Sequence, residues 1–153
     1  MQKFNRTRGA RRLAVAAFIL FAAAPAELSA QETQDTMKLT PQMREARAAL
    51  AAGYAALDPA KVKVLFSDSA VVNFGDQTFS GRQAVDGWIA ESMNGLSAVR
   101  FGAGNFTITE REFTDRNTYR VTLGDGSMQE GSSEAVWRRE ADGSWKVVRL
   151  NVM

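Results

Sequence analysis

Residues 130–153 read EGSSEAVWRREADGSWKVVRLNVM, and their reading decides the fold. Two runs rich in Val, Trp and Leu flank Asp142-Gly143, and an Asp-Gly pair between such runs signals a β-hairpin. The two runs are therefore expected to pair antiparallel. Simple alternation sets Ala135 and Trp137 against Val136, and Trp145 and Val147 against Val148, Leu150 and Val152, so each strand has apolar residues on both faces. Both faces are expected to be covered, and such a hairpin needs further strands and a helical layer to be stable in water.

Working outward, the segments before it supply those parts. Thr40-Pro41 is an N-cap followed by proline at the first helical position, and Met43, Arg47, Leu50, Tyr54 and Leu57 recur at helical spacing with Ala46, Ala49, Gly53 and Ala56 beside them. This helix is expected to lie close against the sheet. Asp58-Pro59 repeats the device for a short helix through Val62, Leu65 and Phe66, followed by a turn at Ser67-Asp68-Ser69. Residues 70–74 read as a strand, 77–79 as its return. Ser80 with Gln83 reads as a capping box for a third helix with an inward stripe of Ala84, Trp88, Ile89, Ser92 and Met93. Residues 98–113 read as one strand bent at Gly102-Ala103-Gly104, and 117–123 as the next. The order is helix, helix, strand, strand, helix and four strands, an α+β class.

The N-terminus has a different composition. Lys3, Arg6, Arg8, Arg11 and Arg12 precede twelve apolar residues, 13–24, and then small residues. This is the order of a secretory signal peptide. Cleavage is expected after Ala26 or Ala30, with Ala30 favoured because a polar stretch begins there. Twelve residues are too few to span a bilayer core, which needs about 20. The predicted organisation is a signal peptide over 1–30, a linker over 31–39 and one domain over 40–153, exported to the periplasm or beyond. The first 30 residues hold five of the 19 basic residues and one of the 17 acidic ones, so the remainder is near neutral. That charge gives no footprint for nucleic acid, and no membrane partner is expected after signal removal.

The chain has no cysteine and no histidine. It therefore lacks the commonest general base, the commonest metal ligand and any thiol nucleophile, and no cofactor or metal is expected. Chemistry falls to carboxylates, Tyr, Lys, Arg, hydroxyls and backbone amides.

Residues 65–72 (LFSDSAVV), 79–88 (FSGRQAVDGW) and 136–148 (VWRREADGSWKVV) resemble, in order and spacing, the SnoaL-like group of the nuclear transport factor 2-like superfamily. The resemblance implies a cone-shaped α+β fold, with a curved antiparallel sheet wrapped around helices, a pocket, and dimerisation through the sheet. It implies no single activity, because the superfamily includes ketosteroid isomerase, dehydratases, epoxide hydrolases, polyketide cyclases and association domains. Carried over by position, the isomerase base falls on Phe74. The oxyanion-binding tyrosine falls beside Gly53 and Tyr54, and the second oxyanion donor near Glu134 or Ala135. The acidic residue or histidine on the last strand of the cyclases falls at Leu150 and Asn151. Two expected carboxylates are thus replaced.

The resemblance and the residues together suggest an exported protein that binds a small apolar or amphipathic molecule without catalysis and forms a homodimer. The ligand-binding candidates are Tyr54, Asn73, Phe74, Trp88, Arg120, Glu134 and Trp137, with Arg120 expected to partner Glu134. One alternative is a cofactor-independent isomerase, dehydratase or hydrolase using Glu134 or Asp76 with Tyr54 as donor. The other is a dimeric interaction module whose interior is filled by side chains such as Phe74, Phe101 and Trp137.

Overall fold

The computed structural model describes residues 39–153. The expected signal peptide and most of the linker lie outside the described residues. The elements are α1 (Pro41–Ala55), α2 (Pro59–Lys63), β1 (Phe66–Phe74), β2 (Gln77–Ser80), α3 (Arg82–Met93), β3 (Leu96–Ile108), β4 (Glu112–Leu123), β5 (Met128–Arg139) and β6 (Trp145–Val152). Their order is the expected one.

The first two helix starts follow their side chains. Thr40 Oγ1 accepts from the Met43 amide at 3.3 Å, and Asp58 accepts from the amides of Ala60 and Lys61. The third does not: α3 is capped by Gly81, with φ of 81° and no side-chain cap. Arg82 organises this corner instead, donating to the carbonyls of Lys63 and Phe66 and to the carboxylates of Asp68 and Asp86. These bonds hold 66–69 extended, so β1 begins at Phe66, where a turn was expected at 67–69. The buried stripe of α3 is Val85, Ile89 and Met93, with Trp88 half-buried and Ala84 exposed.

One six-stranded sheet runs β2-β1-β6-β5-β4-β3, with the closing hairpin at its centre. Four of its pairings are antiparallel, but β1 and β6 run parallel, so the sheet is mixed. The 98–113 stretch is two strands, because the chain reverses at 109–111 without glycine or proline. The Thr109 amide donates to Glu112 O at 2.8 Å, and the Glu112 amide donates to Thr109 Oγ1 at 3.1 Å. The bend at 102–104 is present as a register shift between Phe101 and Gly104. In the hairpin, Trp137 pairs with Val147 and Val136 with Arg149, leaving Val148 as an extra residue. This bulge returns Leu150 and Val152 to the face of Trp145 and Val147, against simple alternation.

The helices cover only that face. The core joins Met43, Val62, Val85 and Ile89 to Phe66, Val72, Phe113, Ala135, Trp137, Val147 and Leu150. The other face, with half-buried Val71, Val136 and Val148, has no covering element among the described residues.

Candidate functional site

The pairing fixes what the sheet presents to the helices. From the closed end outward, one row holds Ile108, Phe113 and Trp137, and the next Phe106, Asp115 and Ala135. A third holds Gly104, Asn117 and Ser133, and the last Phe101, Tyr119 and Gly131. Helix α1 faces these rows with Arg47 and Tyr54, seven residues apart on one stripe. Arg47 Nε donates to Asp115 Oδ2 at 2.8 Å, and its guanidinium carbon sits 4.9 Å from the Phe106 ring centroid. Tyr54 meets Phe101 edge-on, with centroids 5.6 Å apart. Ser133 Oγ donates to Asn117 Oδ1 at 2.8 Å. Two polar pairs thus sit side by side within an otherwise apolar concave face.

Asp115 is the group under most electrostatic tension. It is 3% exposed, and Oδ1 has no hydrogen-bond partner among the described residues. Burial raises its pKa, while the Arg47 charge and hydrogen bond, and then the Asn117 amide, pull it back; the balance is a raised value. Gly104 leaves the room that this arrangement needs, since a Cβ there would come within 3.0 Å of Asp115 Oδ1 and 2.9 Å of Arg116 O. Burial also pushes the Tyr54 hydroxyl above the phenol range, which keeps it a donor. The Trp137 Nε1 donor is buried without a partner among the described residues.

The structure separates the other sequence candidates. Trp137 is fully buried and stacked on Phe113 at 5.4 Å, as core. Phe74 is 46% exposed at the end of β1 and, with Phe79, leans on Trp88, away from the Arg47–Asp115 pair. Asp76 is exposed in the β1–β2 turn. Asn73, Arg120 and Glu134 lie on the face opposite the helices. Register sets Glu134 beside Arg116, at 2.7 Å, and gives Arg120 to Glu130, which corrects the expected Arg120–Glu134 pair. Glu134 also accepts from Asn151, Asn151 from Asn73, and Asn73 from Thr78, while Arg116 donates to Thr107. This hydrogen-bonded ladder crosses all six strands on the outer face, so Glu134 is not an interior acid. Of the catalytic candidates, only Tyr54 reaches the concave face.

Sequence reading does not single out Asp115, Arg47, Asn117 or Ser133 as site residues. The periodicity makes Arg47 only a member of a helical stripe, and 114–116 fall between the strands it predicts over 98–113 and 117–123. The available signal was alternation: Phe113, Asp115, Asn117 and Tyr119 share one face once β4 starts at Glu112.

An open depression of about 690 Å³ lies among the ends of β3, β4 and β5, lined in part by Phe101, Tyr119, Gly131 and Met153. Among the described residues no three His, Cys, Asp or Glu side chains are grouped to hold a metal ion, and no helix is long and apolar enough to cross a membrane.

No protein-family model and no curated protein sequence matches this chain; its likeness is to solved structures. A candidate dehydratase of the nuclear transport factor 2-like family from Streptomyces avermitilis superposes with a TM-score of 0.62 at 18% identity, covering 79% of this chain and 96% of that one. This is the nuclear transport factor 2-like fold. A candidate ketosteroid isomerase from Shewanella frigidimarina matches at 0.59 and 13% identity, over 71% and 92% of the two chains. A candidate calcium/calmodulin-dependent protein kinase type II association domain from Thiobacillus denitrificans matches at 0.63 and 17%, over 74% and 95%. Nuclear transport factor 2-like neighbours thus carry names of enzymes and of an assembly domain, and at these identities the likeness shows the fold alone.

Proposed function

We propose that this chain is an exported nuclear transport factor 2-like protein that binds a small amphipathic molecule against its concave face, without turnover. The observation that carries the reading is the buried Asp115, paired with the half-buried Arg47, beside the Asn117–Ser133 hydrogen bond. An apolar core would be at least as stable without a buried carboxylate. An unpartnered buried oxygen also calls for an explanation, and perturbed acids cluster at functional sites. The ligand's apolar body would lie on Phe101 and Phe106, with its polar end toward Tyr54 and Asn117. Lack of turnover is supported by Phe74 standing at the β1 position and by Arg47 occupying one oxygen of Asp115.

The test is a thermal-shift screen of amphipathic ketones and alcohols on wild type, Asn117→Leu and Glu134→Gln. A saturable rise in Tm that is lost in Asn117→Leu and kept in Glu134→Gln is expected. A screen in which no compound shifts wild type counts against the proposal.

The free Oδ1 of Asp115 favours one second reading, acid–base catalysis on a carbonyl substrate with Tyr54 as hydrogen-bond donor. Robust turnover of an enone or β-hydroxy ketone that disappears in Asp115→Asn would put this reading first.

A further inference from the structure

The depression at the ends of β3, β4 and β5 contains an arrangement that a sheet does not favour by itself. Arg100 on β3 is the direct Cα partner of Arg120 on β4, and Arg120 is the direct partner of Glu130 on β5. Directly paired residues point to the same face, and like charges set opposite one another are destabilising. Arg120 is bonded to Glu130, and among the described residues no carboxylate lies within ion-pair distance of Arg100. The row therefore carries two cations and one anion.

These three side chains line the depression of about 690 Å³ together with the hydroxyl residues Thr118 and Ser132, themselves a direct cross-strand pair. Gly102 and Gly131 have no room for a side chain, because Thr118 and Tyr119 fill the space beside them. A Cβ at Gly102 would collide with Thr118 Oγ1, and one at Gly131 with the Tyr119 hydroxyl. Phe101 and Tyr119, one residue away along their strands, turn their rings to the opposite, concave face, where Phe101 meets Tyr54. On the outer face the site has two guanidinium groups and two hydroxyls as donors, with one carboxylate already engaged.

We infer that this depression binds a small organic monocarboxylate, its carboxylate held by Arg100 and shared with Arg120. A guanidinium fork matches a carboxylate in a two-point hydrogen bond. A single negative charge brings the row to neutrality, whereas Glu130 repels the second charge of a phosphate monoester. The inference is independent of the concave-face reading. Asp115 and Tyr119 are four residues apart on β4, about 13 Å, and no group of the Arg47–Asp115 pair lines this depression.

The experiment is calorimetric titration of the purified protein at low ionic strength with benzoate, and with benzyl alcohol as the neutral counterpart. Benzoate is expected to bind saturably, to lose affinity about tenfold in Arg100→Gln and to keep it in Arg138→Gln, an exposed arginine away from the depression. Benzyl alcohol is expected to bind far more weakly. Without ligand, Arg100→Gln should melt no lower than wild type, because it relieves the opposed charges. The proposal is overturned if benzoate does not bind in the millimolar range, if it binds Arg100→Gln as well as wild type, or if benzyl alcohol matches it. A ligand-free Arg100→Gln that melts clearly lower would also overturn it, by making Arg100 a structural residue.

Discussion

At Asp115 desolvation and pairing act in opposite directions, and desolvation wins. The native state therefore holds a proton on this carboxyl at a higher pH than the unfolded chain does. Stability from this group falls as pH rises from the ordinary carboxylate range through its folded pKa, and is regained on acidification. Asp58, Asp125 and Asp142 behave in the opposite sense, since hydrogen bonds from Lys61, Ser127 and Ser144 hold their pKa values down. Asp115→Asn removes the first effect and leaves the others in both proteins. Melted at about pH 7 and about pH 5, wild type should gain on Asp115→Asn as pH falls. A gap that narrows on acidification would show that the pairing with Arg47 outweighs burial. At neutral pH the variant should lose about 1–3 kcal/mol of stability, because the Arg47 charge is left without its counter-charge.

The same pattern of close approach recurs between elements. Gly53 of α1 is buried where the helix crosses α2, and a Cβ there would meet Val62 Cγ2 at 2.8 Å. Sequence reading placed the small-residue side of α1 against the sheet; at Gly53 the close neighbour is α2. Val62 is itself fully buried, so the neighbour has little room to give. Gly53→Val is expected to cost about 1–3 kcal/mol through overpacking, read as a lower denaturation midpoint with an unchanged slope. An unaffected midpoint would mean that α2 shifts freely. The β5–β6 hairpin shows the converse, an added residue that improves packing: with Val148 extruded, Trp145, Val147, Leu150 and Val152 all face the helices.

For the whole molecule, the outer face of the sheet has no covering element among the described residues. Its polar groups are satisfied laterally by the ladder from Thr107 to Thr78, and Val71, Val136 and Val148 lie half-buried around it. We propose homodimerisation through this face. Light scattering at micromolar concentration should give twice the chain mass for wild type and the single mass for Val136→Glu; a wild-type monomer would refute the proposal. Export is the second proposal at this scale. Mass spectrometry of protein from the periplasm should find a new N-terminus at Gln31, whereas exported protein that begins at Met1 would rule out cleavage.

The sequence alone determined the order of elements, the α+β class and the central hairpin, because each rests on local chemistry: an N-cap and proline, an Asp-Gly turn, a period of two or of three to four. It could not locate the site. The β3–β4 turn is made by Thr109 and Glu112 in place of glycine or proline, so the sequence pattern starts β4 five residues late and assigns Asp115 to no face. Whether an acid is buried or solvated also depends on register. Glu134 sits on the strand paired with that of Asp115, next to its direct partner Ala135, yet one residue of phase puts the first on the outer ladder and the second beneath Arg47. Alternation along a strand is local, but its phase relative to the helices is set by the bulges and by which strand pairs with which. Only the assembled sheet decides that.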